Sequence, residues 1–163
     1  MKNKKYKTVI VFGTFDPIRN RGTLRALKIS NGASFLHPGH IFFLKSAKKL
    51  GTRLIVVVAR DEVVQRLKNR TPNYVLRTRM KRLRETDIPY KVTAGDKKEG
   101  EYTQLKNHQP DVVCLGYDQK ALGRDLRERM KNGKISKVKV VCSKAYKPKK
   151  YHSYILRRIH EKK

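Results

Sequence analysis

The stretch Thr8-Val9-Ile10-Val11-Phe12-Gly13-Thr14-Phe15-Asp16, read together with Phe35-Leu36-His37-Pro38-Gly39-His40, decides how this chain folds. The first is a short, β-branched apolar run closed by a glycine, as a buried strand ending in a turn should be. The second opens an apolar helix, Pro38–Leu50. Ile41, Leu44 and Ala47 recur there at helical spacing, Pro38 occupies the first turn and Gly51 ends the pattern. An HxGH at such a start places two imidazoles, His37 and His40, at one helix N-terminus, where free backbone amides and the helix dipole favour an anion. Eighteen residues, Pro17–Ser34, separate the two motifs.

Working outward, apolar runs alternate with amphipathic stretches. Thr8–Phe12, Arg53–Ala59, Tyr90–Thr93, Asp111–Leu115 and Lys137–Cys142 are short and continuously apolar, the pattern of parallel strands buried on both faces. Helices are predicted at Pro38–Leu50 and at Gln119–Lys131, where Leu122, Leu126 and Met130 repeat at i, i+4, i+8 and Gly133 follows. Helical patterns also cover Asp61–Lys68, Val75–Glu85, Glu101–Asn107 and Ser153–His160. This alternation predicts βαβ units in an α/β, doubly wound, Rossmann-like parallel sheet of about five strands. In such sheets ligands bind beyond the carboxyl ends of the strands, where Gly13-Thr14, Ala59-Arg60-Asp61 and Gly116-Tyr117-Asp118 converge.

Length and composition bound the rest. A chain of 163 residues fits one domain, here spanning 1–163 with 17–34 as an inserted loop or excursion, and buries roughly 70% of its unfolded surface. The longest apolar run, Leu54–Ala59, is far too short to cross a bilayer, and the basic start Met1–Lys5 leads into no export signal, which predicts a soluble cytoplasmic protein without a membrane partner. Cys114 and Cys142 lie in strand-like runs without metal-ligand spacing, and are expected to be buried free thiols.

GTFD at Gly13–Asp16, LHPGH at Leu36–His40, VVVARDE at Val56–Glu62, LGYDQ at Leu115–Gln119 and YHS at Tyr151–Ser153 together resemble the archaeal FAD synthase branch of the cytidylyltransferase-like nucleotidyltransferases. The resemblance covers most of the chain outside Pro17–Ser34, which in relatives is replaced by about two residues. It implies transfer of the adenylyl group of ATP to the phosphate of FMN, giving FAD and pyrophosphate. His37 and His40 are then the catalytic residues. Gly13, Thr14, Phe15, His37, Pro38, Gly39, His40, Asp118, Tyr146 and Ser153 hold the nucleotide. A divalent cation, Mg²⁺, bridges substrate phosphates with few protein ligands, matching a sequence without an acidic cluster. Homodimers occur among such relatives. Arg79 matches an arginine of the family's middle helix, but its neighbours Leu76-Arg77-Thr78 lack the usual acids, and Asp61 reads as a structural cap.

Two other readings stay open at this level. One is a cytidylyltransferase acting on a polyol phosphate such as glycerol 3-phosphate. The other answers to the charge: 41 Lys and Arg against 13 Asp and Glu, a net +28, would suit a nucleic-acid-binding protein on a decayed nucleotidyltransferase fold. Against the latter, the basic residues spread along the whole chain and no aromatic-interleaved RNA motif is present. If GTFD and LHPGH form one site, deleting Pro17–Ser34 joins Asp16 to Phe35 at the family's short spacing. The shortened protein should fold and transfer nucleotide at least as fast as the full chain, measured by product chromatography. A deletion variant that aggregates or loses all turnover makes the segment part of the working structure.

Overall fold

A computed structural model describes residues 5–17, 36, 38–147 and 149. Five strands, β1 (Tyr6–Gly13), β2 (Gly51–Val58), β3 (Lys91–Ala94), β4 (Val112–Leu115) and β5 (Lys139–Cys142), form one sheet in the order β3-β2-β1-β4-β5. Every pairing is parallel. The helices are α1 (Pro38–Leu50), α2 (Asp61–Lys68), α3 (Leu76–Arg84), α4 (Thr103–His108) and α5 (Lys120–Lys131). The α/β architecture read from the sequence is therefore the observed one. Element ends differ from the sequence-based bounds by at most two residues, and those of the strands shift because they are set by the ladder rather than by apolarity.

Burial on both faces explains the continuous apolarity of the strands. Val9, Val11, Leu54, Val56, Val112 and Cys114 point to one core, shared with Leu44 and Ala47 of α1 and Leu83 of α3. The intervening residues Ile10, Ile55, Val57, Val113 and Leu115 point to a second, shared with Leu105 of α4 and Leu126 of α5. Successive strand side chains alternate faces, so each strand serves both layers. The ladder also extends past the strands: Ala59 N donates to Gly13 O at 2.9 Å, Gly95 N to Val58 O at 2.9 Å and Ser143 N to Leu115 O at 2.8 Å. Those bonds bring the loops after β1, β2, β3 and β4 to one edge of the sheet. Among the described residues, no helix is long and apolar enough to cross a membrane. The predicted helix at Ser153–His160 and the segment Ile18–Phe35 lie outside the described residues.

One expectation needs correction. Cys114 is buried, whereas Cys142 is exposed, because β5 is an edge strand and only its inner flank is paired. Burial pushes the Cys114 thiol up to about 11, with the neighbouring Cys142 adding to the shift. Since the thiolate is the reactive form, native protein at pH 7–8 should titrate one thiol with Ellman's reagent, at Cys142, and reveal Cys114 only after denaturation. Two thiols reacting at equal rates in native protein would contradict this packing.

Candidate active site

The loops gathered at the carboxyl ends of the strands enclose a cavity of about 680 Å³. It opens where the chain crosses from the β2 side of β1 to the β4 side, the position at which doubly wound sheets bind ligands. One end of it is built from the β1 turn and the start of α1: Gly13, Thr14 and Phe15 meet Gly39 and His40. The separation of Asp16 from Phe35 in sequence thus does not separate the two motifs in space.

The turn itself is strained. Phe15 has φ +49°, a left-handed conformation that costs a non-glycine residue about 1–2 kcal/mol and persists only when its surroundings fix it. Its ring is buried, edge-on to His40 at 5.5 Å and stacked on Phe43 at 6.3 Å. The side chain of Phe15 is therefore a wedge between β1 and α1, and it also lines the cavity. Gly13 is the consequence: a Cβ there would lie 2.7 Å from Cε2 of that ring. His40 takes its orientation from the same wedge.

Groups from later in the chain hold this turn. Arg79, with no exposed surface, donates to Thr14 O at 2.6 Å, Ala59 O at 2.7 Å, Tyr74 O at 2.9 Å and Asp61 Oδ1 at 2.6 Å. Asp61 does not cap its own helix. Its other oxygen accepts Leu76 N at 3.2 Å and caps α3 instead. The acid missing beside Arg79 in sequence is thus supplied by α2 in space. Asp16 accepts Asn73 N at 2.7 Å and Tyr74 N at 3.1 Å, with Arg70 Nη1 at 3.5 Å, tying the 70–74 loop to the turn.

Other residues complete the cavity. Lys68 Nζ donates to Thr14 Oγ1 at 2.9 Å and brings a cation to this end of the cavity from the last turn of α2. Gln119 accepts Gly116 N at 2.7 Å and donates to Phe12 O at 2.7 Å, stapling the ends of β4 and β1 across the crevice. It is also the N-cap residue of α5, without a side-chain cap bond. Asp118 precedes it on the cavity wall, exposed. Tyr146 stacks on Phe42 of α1 at 4.9 Å and 19°, so the segment after β5 folds over the same helix. Pro38 opens α1 and serves its first turn rather than the cavity wall. His37 and Ser153 lie outside the described residues.

Sequence reasoning missed Asp16, Lys68 and Gln119, and undervalued Arg79. Asp16 and Gln119 stood inside the quoted motifs, but their bonds run to residues 57 and 107 positions away, which no local pattern reports.

A parallel sheet with this strand order, a strained GTFD turn against a glycine-histidine helix start, and a cavity at the crossover define a nucleotidyltransferase-type α/β domain. The chain belongs to the Cytidylyltransferase-like family, which it matches over residues 34–159. The GTFD turn precedes that match, yet it forms half of the site. Curated relatives include the FAD synthase of Aciduliprofundum boonei, 38% identical over 112 residues that cover 68% of this chain and 72% of that protein. The FAD synthase of Pyrococcus abyssi is 39% identical, covering 66% and 74%. Among solved structures, the lipopolysaccharide core biosynthesis protein of Thermoplasma volcanium superposes with a TM-score of 0.67 at 29% identity, over 86% of this chain and 98% of that one. Pantoate-beta-alanine ligase of Francisella tularensis shares the fold at TM-score 0.53 and 16% identity, over 86% and 59%.

The clamp yields a stability prediction. Arg79→Lys keeps the charge, but a single ammonium cannot reach acceptors arranged for a planar fork. The stranded carbonyls and Asp61 should cost on the order of 3 kcal/mol, which for a chain of this size lowers the melting temperature by roughly 6–12 °C. A thermal melt checks it. A shift below about 2 °C would show that the turn is held by other contacts.

Proposed function

We propose that the chain transfers the AMP moiety of ATP to the phosphate of FMN, releasing pyrophosphate. An FMN phosphate oxygen attacks the α-phosphorus in line, the bond to the bridging oxygen of the β-phosphate breaks, and FAD forms. The observation that carries this reading is the meeting of the Gly13–Phe15 turn with Gly39 and His40 in a chain whose curated relatives are FAD synthases.

The attacking phosphate monoester has a second pKa of about 6, so at neutral pH it is largely ionised and needs no protein base. What remains for the protein is positioning and compensation of charge developing on the α-phosphate and the leaving pyrophosphate. In this reading His40, with His37 beside it, donates to α-phosphate oxygens, the amides at the α1 start add their dipole, and Gly39 lets the backbone come close. Lys68, anchored on Thr14, faces the pyrophosphate side. Asp118 and Tyr146 flank the adenosine, and Ser153 is assigned to the nucleotide by the family resemblance alone. Among the described residues no three His, Cys, Asp or Glu side chains cluster to hold a metal ion. In this reading a divalent cation such as Mg²⁺ would take its ligands chiefly from substrate phosphates and supply charge neutralisation there. On this reading the chain is one catalytic domain and the reaction is cytoplasmic.

The cytidylyltransferase and nucleic-acid-binding readings are not favoured. A polyol phosphate would leave the apolar part of the cavity without a partner, and the strained turn is intact rather than decayed.

Purified protein with Mg²⁺, ATP or CTP, and FMN or glycerol 3-phosphate should yield FAD from ATP and FMN alone. His40→Ala or His37→Ala should cost about 3–4 kcal/mol of transition-state stabilisation, a hundred- to thousandfold loss in kcat, with the fold retained by circular dichroism. Wild-type turnover in both variants would remove the helix start from the mechanism.

A further inference from the structure

The phosphate chemistry leaves unused a hydrogen-bonded group at the other end of the cavity. Tyr102, buried and at φ +50°, lies edge-on to Phe12 with ring centroids 5.9 Å apart at 84°. Its hydroxyl donates to Asp125 Oδ2 at 2.6 Å, and Arg129 Nε donates to both oxygens of that carboxylate, at 3.0 and 3.1 Å. Gly100, at φ +80°, leaves room for the Arg129 guanidinium where a Cβ would otherwise sit. A left-handed tyrosine and a left-handed glycine are thus both committed to holding one carboxylate in place.

That carboxylate is not sealed in. Its side chain is 40% exposed and lines the cavity together with Phe12, Tyr102 and Leu122, so an apolar wall ends in a fixed acceptor. Burial alone would raise the Asp125 carboxyl, but the bonds from Tyr102 and Arg129 outweigh it and hold the group below the ordinary carboxylate value. The Tyr102 phenol moves the opposite way, raised by burial and then by the bond to Asp125. At neutral pH the pair is therefore a neutral donor on an ionised acceptor, and lone pairs on the carboxylate remain for a ligand.

The wall sits on the α4 and α5 face of the sheet, across the strand ends from α1, whose N-terminus receives the phosphates in the function proposed above. A ligand reaching it needs a flat apolar body and an N–H at its edge. The flavin ring of FMN has both: a dimethylbenzo edge, and an imide N3–H between two carbonyls.

We propose that Phe12, Tyr102 and Leu122 seat the flavin ring of the acceptor and that Asp125 determines specificity by accepting its N3–H, with Tyr102 and Arg129 as positioning residues. This rests on the FMN adenylylation proposed above. Asn at position 125 offers one carbonyl oxygen where the carboxylate offers two, and Tyr102 and Arg129 already claim it. Hydrogen bonds to charged groups are worth more than 1 kcal/mol, so losing this one is read as about tenfold.

Steady-state kinetics on the full chain test it. Asp125→Asn should raise KM for FMN about tenfold and leave kcat and KM for ATP within twofold. Wild-type protein should also discriminate about tenfold against N3-methyl-FMN, a substrate-side measurement that does not depend on how a variant folds. The proposal is overturned if KM for FMN stays within twofold in Asp125→Asn, if N3-methyl-FMN is used as well as FMN, or if KM for ATP rises instead, which would put the adenine on this wall. Any of these with FAD still produced leaves the adenylylation standing. No FAD from the wild type overturns both.

Discussion

A guanidinium without exposed surface sits where three segments of the chain must meet, and the active site depends on it. Taking a charge out of water costs several kcal/mol unless every polar atom finds a partner. Arg79 meets that condition only by drawing in the carbonyls of Thr14, Ala59 and Tyr74 and the carboxylate of Asp61. Its demand for acceptors thus fixes the turn after β1, the exit from β2 and the start of α3 relative to one another. The left-handed backbone of Phe15 is tolerable because it is pinned on one side by this clamp and on the other by the ring stack against α1.

From that fixed turn the rest of the site follows. Phe15 orients His40, Gly13 yields space to the Phe15 ring, and Lys68 is anchored on Thr14. Gln119 then ties β4 to β1 across the crevice, so that both walls of the cavity refer to the same strand. A site whose chemistry is positioning and charge compensation benefits from such rigidity, because groups already aimed at the developing charge need no reorganisation during reaction.

The net charge of +28 acts over a longer range. ATP, FMN, FAD and pyrophosphate are all anions, and a positive field speeds their encounter, in a manner that weakens with salt. Within the cavity the charge is not uniform: Asp16, Asp118 and Asp125 line it alongside Lys68 and Arg70.

The chain's own pattern was enough for the doubly wound sheet, because strands buried on both faces must be continuously apolar and helices between them must show one apolar stripe. Helices α1 and α2 could be bounded to the residue, since Pro38, Gly51 and the Asp61 start are local signals. The pairing of GTFD with the glycine-histidine helix start was also legible, as a resemblance carried by short motifs. Tertiary structure alone decided the rest. Cys142 is exposed because its strand is an edge, a fact of strand order that the run Val140–Cys142 does not contain. Arg79 looked unsupported among Leu76, Arg77 and Thr78, and only folding brings Asp61 from the preceding helix within 2.6 Å of it. Likewise the Tyr102–Asp125–Arg129 group joins an irregular loop to a helix 23 residues on. Periodicity reports which side of an element is buried. It cannot report which distant polar group will be waiting there, because that depends on how the layers pack.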